Sequence, residues 1–309
     1  MKIESFEIAV GRDDPGISTG LVGRRYDTGK PGPKVLLTGA LHGDELTATG
    51  ALWRVMERLD SADIGGQFTI IPLVNQQGAR QSRRHVPLAT TDLNRVFPGR
   101  KDGELGERLA AALADLMGSH DALIDVHTAG WSTLFLLLDH IADPQLQGRV
   151  YRWAASSGLP AFGEMPPEQA NLQGLDRCWP TWVVNNGKPA VTIELSSLMT
   201  LDVAGAEKGA EAILKMLRDL PRALADKSGA EPIKLVRKEV YSETGGLFET
   251  ACNVGERVKS GTIIGRIRTI LGDPQETITS PSAAEVIALN PVCAVMVGTH
   301  LATLAVAPD

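Results

Sequence analysis

Five short apolar runs, at residues 35–40, 68–74, 122–126, 133–138 and 190–195, recur through the first two thirds of the chain. Between several of them lie stretches with helical spacing, the clearest at 47–59, 105–117 and 204–220. A run of four to eight apolar residues bounded by turn residues reads as a buried strand. Strands interleaved with helices lead to an α/β architecture with a largely parallel sheet.

The pattern changes after residue 220. Pro221 and the polar stretch Ala225-Asp226-Lys227-Ser228-Gly229 interrupt helical periodicity, which predicts a linker at 221–232. Beyond it, short segments at 257–260, 262–267, 276–278 and 285–289 are separated by glycines and Pro281, the spacing of a small all-β barrel or sandwich. The expected division is a first domain over 1–225 and a β domain over 232–309.

Charge and composition narrow the partners. The net charge is -6 and no window gathers Lys and Arg into a basic stripe, so a phosphate-backbone partner has no electrostatic support. The start, Met1-Lys2-Ile3-Glu4, is acidic where a secretory signal needs an apolar core, and no run reaches membrane-spanning length. The expectation is a cytoplasmic protein with no nucleic-acid or membrane partner. Cys178, Cys252 and Cys293 are far apart and form no Cys-x-x-Cys pair, which speaks against a disulfide framework or a zinc knuckle and for ordinary, mostly buried thiols. No Gly-x-Ser-x-Gly elbow is present, so a serine hydrolase is not indicated.

The chemistry is concentrated where the apolar runs end. Gly39-Ala40-Leu41-His42-Gly43-Asp44-Glu45 follows the first run, and a turn entering a helix can aim His42 and Glu45 at one point. An imidazole nitrogen and a carboxylate oxygen are both good zinc donors. The run Ala122-Leu123-Ile124-Asp125-Val126 stops at His127, a second imidazole at a strand's carboxyl end, where open α/β sheets bind their ligands. Two histidines and a glutamate make a catalytic zinc set with a coordination position left for water. Glu194 interrupts the apolar run Ala190-Val191-Thr192-Ile193, and a buried carboxylate needs a partner or a role; beside such a site it can act as a general base. In Thr91-Asp92-Leu93-Asn94-Arg95-Val96-Phe97-Pro98-Gly99, Asn94 and Arg95 offer an amide and a guanidinium fork suited to a substrate carboxylate. Upstream, Arg83 and Arg84 offer a cation for an oxyanion.

Taken in order, His42-x-x-Glu45, Asn94-Arg95, His127 and Glu194 resemble the succinylglutamate desuccinylase and aspartoacylase family, within the wider zinc carboxypeptidase-like group, over roughly residues 35–220. The resemblance implies a three-layer α/β/α catalytic domain, one zinc per chain on His42, Glu45 and His127, Glu194 as general base, and carboxylate recognition by Asn94 and Arg95. It implies an arginine that polarises the scissile carbonyl, either Arg83 or Arg84, with Arg84 favoured. Asp92 looks like the family's acid one step removed from the metal, and Asn75 resembles a pocket-lining asparagine; both join the expected substrate-binding set. Arg177, in Arg177-Cys178-Trp179-Pro180, is either a contact to an acidic group of the substrate or a plain surface arginine, and no tyrosine there matches the family's substrate-side one. The C-terminal segment looks like a barrel-sandwich module related to biotinyl and lipoyl domains, but no lysine stands in its carrier turn. Its expected role is to cap the active site or to build a homo-oligomer interface.

The implied activity is hydrolysis of the amide bond in a small N-acyl amino acid that carries a carboxylate. Its rivals are a zinc carboxypeptidase acting on short peptides, which uses the same catalytic set, and a non-catalytic metal-containing binding protein. The remaining histidines, His85, His120, His140 and His300, are expected to be bystanders to the metal.

Overall fold

The computed structural model describes residues 1–14, 17–87, 89, 91–197, 199–225 and 233–308. The chain opens with a long hairpin, β1 (Lys2–Asp14) and β2 (Ile17–Asp27), and enters the α/β region with β3 (Lys34–Gly39), α1 (Leu46–Arg58), β4 (Gln67–Ile71), α2 (Gln76–Arg80) and α3 (Leu105–Met117). It continues through β5 (Ala122–Thr128), β6 (Trp131–Ser132), β7 (Phe135–Leu138), α4 (Pro144–Ala155), β8 (Ala161–Gly163), α5 (Pro167–Leu172), α6 (Trp179–Asn185), β9 (Ala190–Leu195) and α7 (Val203–Ala225). The remainder is β: β10 (Val236–Tyr241), β11 (Gly246–Thr250), β12 (Arg257–Val258), β13 (Ile263–Arg268), β14 (Pro274–Thr279), β15 (Ala284–Leu289), β16 (Ala294–Val295) and β17 (His300–Val306).

Strands β4, β3, β5 and β9 lie side by side and parallel, with Leu37 opposite Ile124 and Val126 opposite Ile193. Leu36, Leu37, Ile124, Val191 and Ile193 have no exposed surface. Such continuous apolar runs are what strands covered on both faces require. Helices α1, α4 and α7 pack on one another and on the sheet, α6 packs on β5 and β9, and α3 on β1 and β2. The sheet is less uniformly parallel than expected, because β2 pairs antiparallel with β4 and β7 antiparallel with β9.

The predicted linker needs revision at its start. Helix α7 runs through Pro221 to Ala225, and residues 226–232 lie outside the described residues. The buried positions Ile213, Met216, Leu217, Leu220 and Ala223 keep helical spacing past the proline. Proline removes one backbone donor, but the packed apolar face continues beyond it and holds the last turn.

The C-terminal strands do not stand apart from the main sheet. β10 pairs parallel with β8 at Val236 and Gly163, then β17, β15 and β12 extend the same sheet. A second sheet, ordered β14-β13-β11-β16, packs against this extension. Phe248, Ile264, Ile267, Ile278, Val286, Leu301 and Leu304 fill the space between them, which is the sandwich expected from the spacing. The loop after β5 is tied in as well, since β6 pairs with β15 and the Thr133 amide donates to the Ile287 carbonyl. No helix among the described residues is long and apolar enough to cross a membrane.

Candidate metal and substrate site

Because β3, β5 and β9 are parallel, their carboxyl ends meet on one side of the sheet. Beyond Gly39 the chain turns sharply at Ala40, whose φ of 50° lies in the left-handed region. His42 and Glu45 follow. Gly43 between them must be glycine, since a Cβ there would sit 2.2 Å from the Ala79 nitrogen. Glu45 is the N-cap residue of α1, yet its carboxylate makes no cap hydrogen bond. Instead Oε1 lies 2.7 Å from His42 Nδ1, and Oε2 lies 2.9 Å from His127 Nδ1 while accepting from the Thr128 amide at 3.0 Å.

All three side chains are buried, and one donor atom from each falls within 4.8 Å of the others. Burial alone would raise the Glu45 carboxyl, but His42 and His127 outweigh it and hold the group well below the usual carboxylate range. Burial likewise opposes a charged His127 ring, while Asp125 and Glu45 raise it well above the ordinary value. Two imidazole nitrogens and a carboxylate oxygen, dry and convergent, fit a divalent metal of the zinc type.

The far nitrogen of each ring is also held by a carboxylate. His42 Nε2 faces Asp92 Oδ1 at 3.1 Å, and His127 Nε2 faces Asp125 Oδ2 at 2.7 Å. Thr38 donates to Asp125 Oδ1 at 2.6 Å and accepts from the Trp179 indole at 3.2 Å. Support of this kind fixes ring orientation and tautomer around metal sites. Asp125 is two residues before His127 on a fully buried strand, a spacing in the sequence that puts both side chains on one face.

A cavity of about 440 Å³ opens on this cluster, and Glu194, Arg84, Asn94 and Arg95 line it together with the three donors. β9 is central, so Glu194 is not on a sheet edge; it lies opposite His127 in the ladder. Burial pushes its carboxyl up to about 7, against the pull of His127 and with a further push from Glu45. Arg84, not Arg83, reaches the wall, with its guanidinium on Asp92 at 2.8 and 3.1 Å and 3.5 Å from Glu45 Oε1. Asn94 Oδ1 accepts from the Trp179 amide at 2.7 Å. Arg95 spends Nε on the Gln173 carbonyl and Nη1 on the Asn94 carbonyl and Cys178 Sγ, and its Nη2 has no partner among the described residues.

Three residues expected to bind substrate lie off the cavity wall. Asn75 caps α2, accepting from the Gly78 amide and donating to the Arg84 carbonyl, so it shapes the loop that carries Arg84. Arg177 donates to the carbonyls of Val96 and Phe97. Asp92 is taken up by His42 and Arg84. In each case the polar atoms are committed to the protein's own groups.

Much of the opposite wall comes from the C-terminal strands. Arg237, Glu239 and Tyr241, at alternate positions of β10, line the cavity with His300 and Thr303 of β17. His300 stands on this wall but outside the set of metal donors, and Tyr241 is a wall tyrosine. Three polar residues at a period of two were a usable signal for one strand face. Arg237 is bound by Glu164 at 2.7 and 2.8 Å and lies 3.1 Å from Glu239. Of the cysteines, Cys178 and Cys252 are buried, whereas Cys293 is exposed.

The sequence profile of the succinylglutamate desuccinylase/aspartoacylase catalytic domain matches residues 31–220. The N-alpha-acetyl-L-2,4-diaminobutyric acid deacetylase of Halomonas elongata is 31% identical over 254 residues, covering 76% of this chain and 70% of that protein. The product-bound ectoine utilization protein EutE (DoeB) from Ruegeria pomeroyi has a similar structure, with a TM-score of 0.83 at 24% identity over 98% of this chain and 95% of that one. A metallo-carboxypeptidase from Burkholderia cenocepacia aligns with a TM-score of 0.54 at 14% identity, over 71% of this chain and 64% of that one.

Proposed function

Because the chain belongs to the succinylglutamate desuccinylase/aspartoacylase family, we propose that it is a zinc-dependent amidohydrolase that removes the acyl group from a small N-acyl amino acid. The observation that carries this reading is the buried His42, Glu45 and His127 set opening into a cavity that Glu194 also lines. A volume near 440 Å³ suits a small molecule better than a peptide, which favours deacylation over carboxypeptidase action.

His42, Glu45 and His127 would hold the ion, with Asp92 and Asp125 fixing the two rings. When bound, zinc supplies Lewis acidity toward the acyl carbonyl and lowers the pKa of a water. Glu194, pushed up to about 7, is suited to take the proton from the attacking water and return it to the leaving amine. Arg84 supplies a cation for the carbonyl oxygen as charge develops there. Asn94 and Arg95 hold the substrate carboxylate, so that the amide is presented in one orientation. The division into a catalytic domain over 1–225 and a β domain over 232–309 belongs to the same reading, with the β domain serving as wall.

The Halomonas relative is a deacetylase of an acetylated diamino acid, so acetylated amino acids lead the substrates to test. Zinc-loaded protein is to be assayed against N-acetyl, N-succinyl and N-formyl amino acids and against short peptides. Release of the carboxylic acid supports the reading. Release of only a C-terminal amino acid from peptides would replace it with the carboxypeptidase, and retained metal without any turnover would leave a binding protein.

A further inference from the structure

Asp139 follows the last residue of β7, lines the cavity, and is only 9% exposed. Its Oδ1 accepts a hydrogen bond from the Thr181 hydroxyl. Among the described residues no Lys, Arg or His lies within ion-pair distance of it. The nearby cation, Arg237, is already shared by Glu164 and Glu239. A carboxylate nearly removed from water and left without a counter-charge is costly, so it either takes up a proton or receives a cation from outside.

Resting on the deacylase reading, we propose that Asp139 determines specificity by receiving a side-chain ammonium of the substrate, so that the acylated amino acid is a diamino acid. The placement suits this. β7 runs antiparallel to β9, with Phe135 opposite Glu194 and Leu137 opposite Thr192, so Asp139 lies four residues along the strand from the level of Glu194. Four residues of strand span roughly 13 Å between backbones. Thr192 and Leu137 line the cavity between the two acids. Both acids therefore line one cavity at separate levels, with room between the levels for a small amino acid whose side chain runs along the strand.

The rest of the cavity agrees in charge. Arg95 and Asn94 are assigned to the substrate's carboxylate and Glu194 to proton transfer, while Glu164 and Glu239 are held by Arg237; Asp139 is the acid beyond Thr192 and Leu137 that no cation of the described residues pairs. Burial, with a push from Glu164 and against the Thr181 hydrogen bond, raises its carboxyl to about 7 when no ligand is present. An ammonium held against it would restore the ionised form.

The test compares kcat/KM of the zinc-loaded protein for N-alpha-acetyl derivatives of 2,4-diaminobutyrate or ornithine, of uncharged isosteres such as norvaline, and of aspartate or glutamate. We expect the ammonium substrates to lead the uncharged ones by tenfold or more. Asp139→Asn should cut that ratio at least tenfold, and Thr181→Val should cut it in the same direction by a smaller factor. A wild-type preference for uncharged or acidic side chains, or a ratio left unchanged by the variants, overturns the proposal while leaving the deacylase reading intact. If no acylated amino acid is hydrolysed, the deacylase reading falls, and calorimetry then judges Asp139 by itself. The zinc-loaded protein should bind 2,4-diaminobutyrate more tightly than 2-aminobutyrate, and Asp139→Asn should abolish the difference. Equal binding of the two by the wild type overturns the assignment.

Discussion

Glu194 and His127 are cross-strand partners, set opposite each other where β9 runs parallel to β5. The carboxylate proposed as proton acceptor and an imidazole of the candidate metal set thus share one rung of a central ladder, and their separation is set by backbone hydrogen bonding. Sites placed on strands are held more tightly than sites placed on loops.

Glu194→Gln keeps the volume and a hydrogen-bonding tip, so the variant is expected to fold and retain metal while kcat falls. Loss of a general base is typically worth about 10²–10⁴-fold, and more where the same group also protonates the leaving amine. Steady-state kinetics together with metal analysis checks this. Near-normal kcat, or metal lost along with activity, would sink the role.

Metal content separates the donors from their supports. One zinc per chain is expected on loading, with His42→Ala and Glu45→Gln losing it at low zinc concentrations. Asp125→Asn, which removes a carboxylate from behind His127, should keep the site but weaken its affinity by about 10–100-fold. Chelator competition with each variant gives the order. Equal affinities for Asp125→Asn and the wild type would mean that Asp125 contributes nothing to ring positioning.

Arg95→Ala is expected to act on substrate capture. If the guanidinium pairs with a desolvated carboxylate, the loss is roughly 2–4 kcal/mol in kcat/KM, carried mainly by KM. The amidated form of the substrate should be a poor one for the wild type and should respond little to the variant. Turnover of the amide as good as that of the free acid contradicts the assignment.

Asp139 also makes a stability prediction. Its folded carboxyl stands at about 7 against an ordinary 3.8, so below pH 7 the native state binds this proton more tightly than the unfolded chain does. Stability from this group therefore declines as pH rises from about 4 to 7, by at most about 4 kcal/mol. Asp139→Asn lacks the titration, and it should gain on the wild type between pH 5 and pH 8 in urea midpoints measured without ligand. A difference between the two proteins that stays constant across that range would refute the point.

The candidate metal set was readable because each of its residues ends or follows an apolar strand. Parallel pairing then brings strand ends together whatever the details of the loops. Glu194 was readable for the opposite reason, as a charge where the run is otherwise apolar. Asn75 and Arg177 were less legible, because residue type says what a side chain can bind but not whether backbone carbonyls and amides have claimed it already. Asp139, Arg237, Glu239 and His300 carry no local motif; Asp139 reaches the cavity through the pairing of β7 with β9, and the other three through the pairing of β8 with β10 and of β10 with β17. The carry-over of α7 past Pro221 was hidden by a rule of propensity that packing overrides.

The seam between β8 and β10 also orders events during synthesis. Arg237, Glu239, Tyr241, His300 and Thr303 are translated after residue 225, whereas His42, Glu45 and His127 leave the ribosome much earlier. In the growing chain the donor set is complete while one side of its chamber has yet to be made. The paired strands β10 and β17 are thus the part of the chamber wall that is synthesised last.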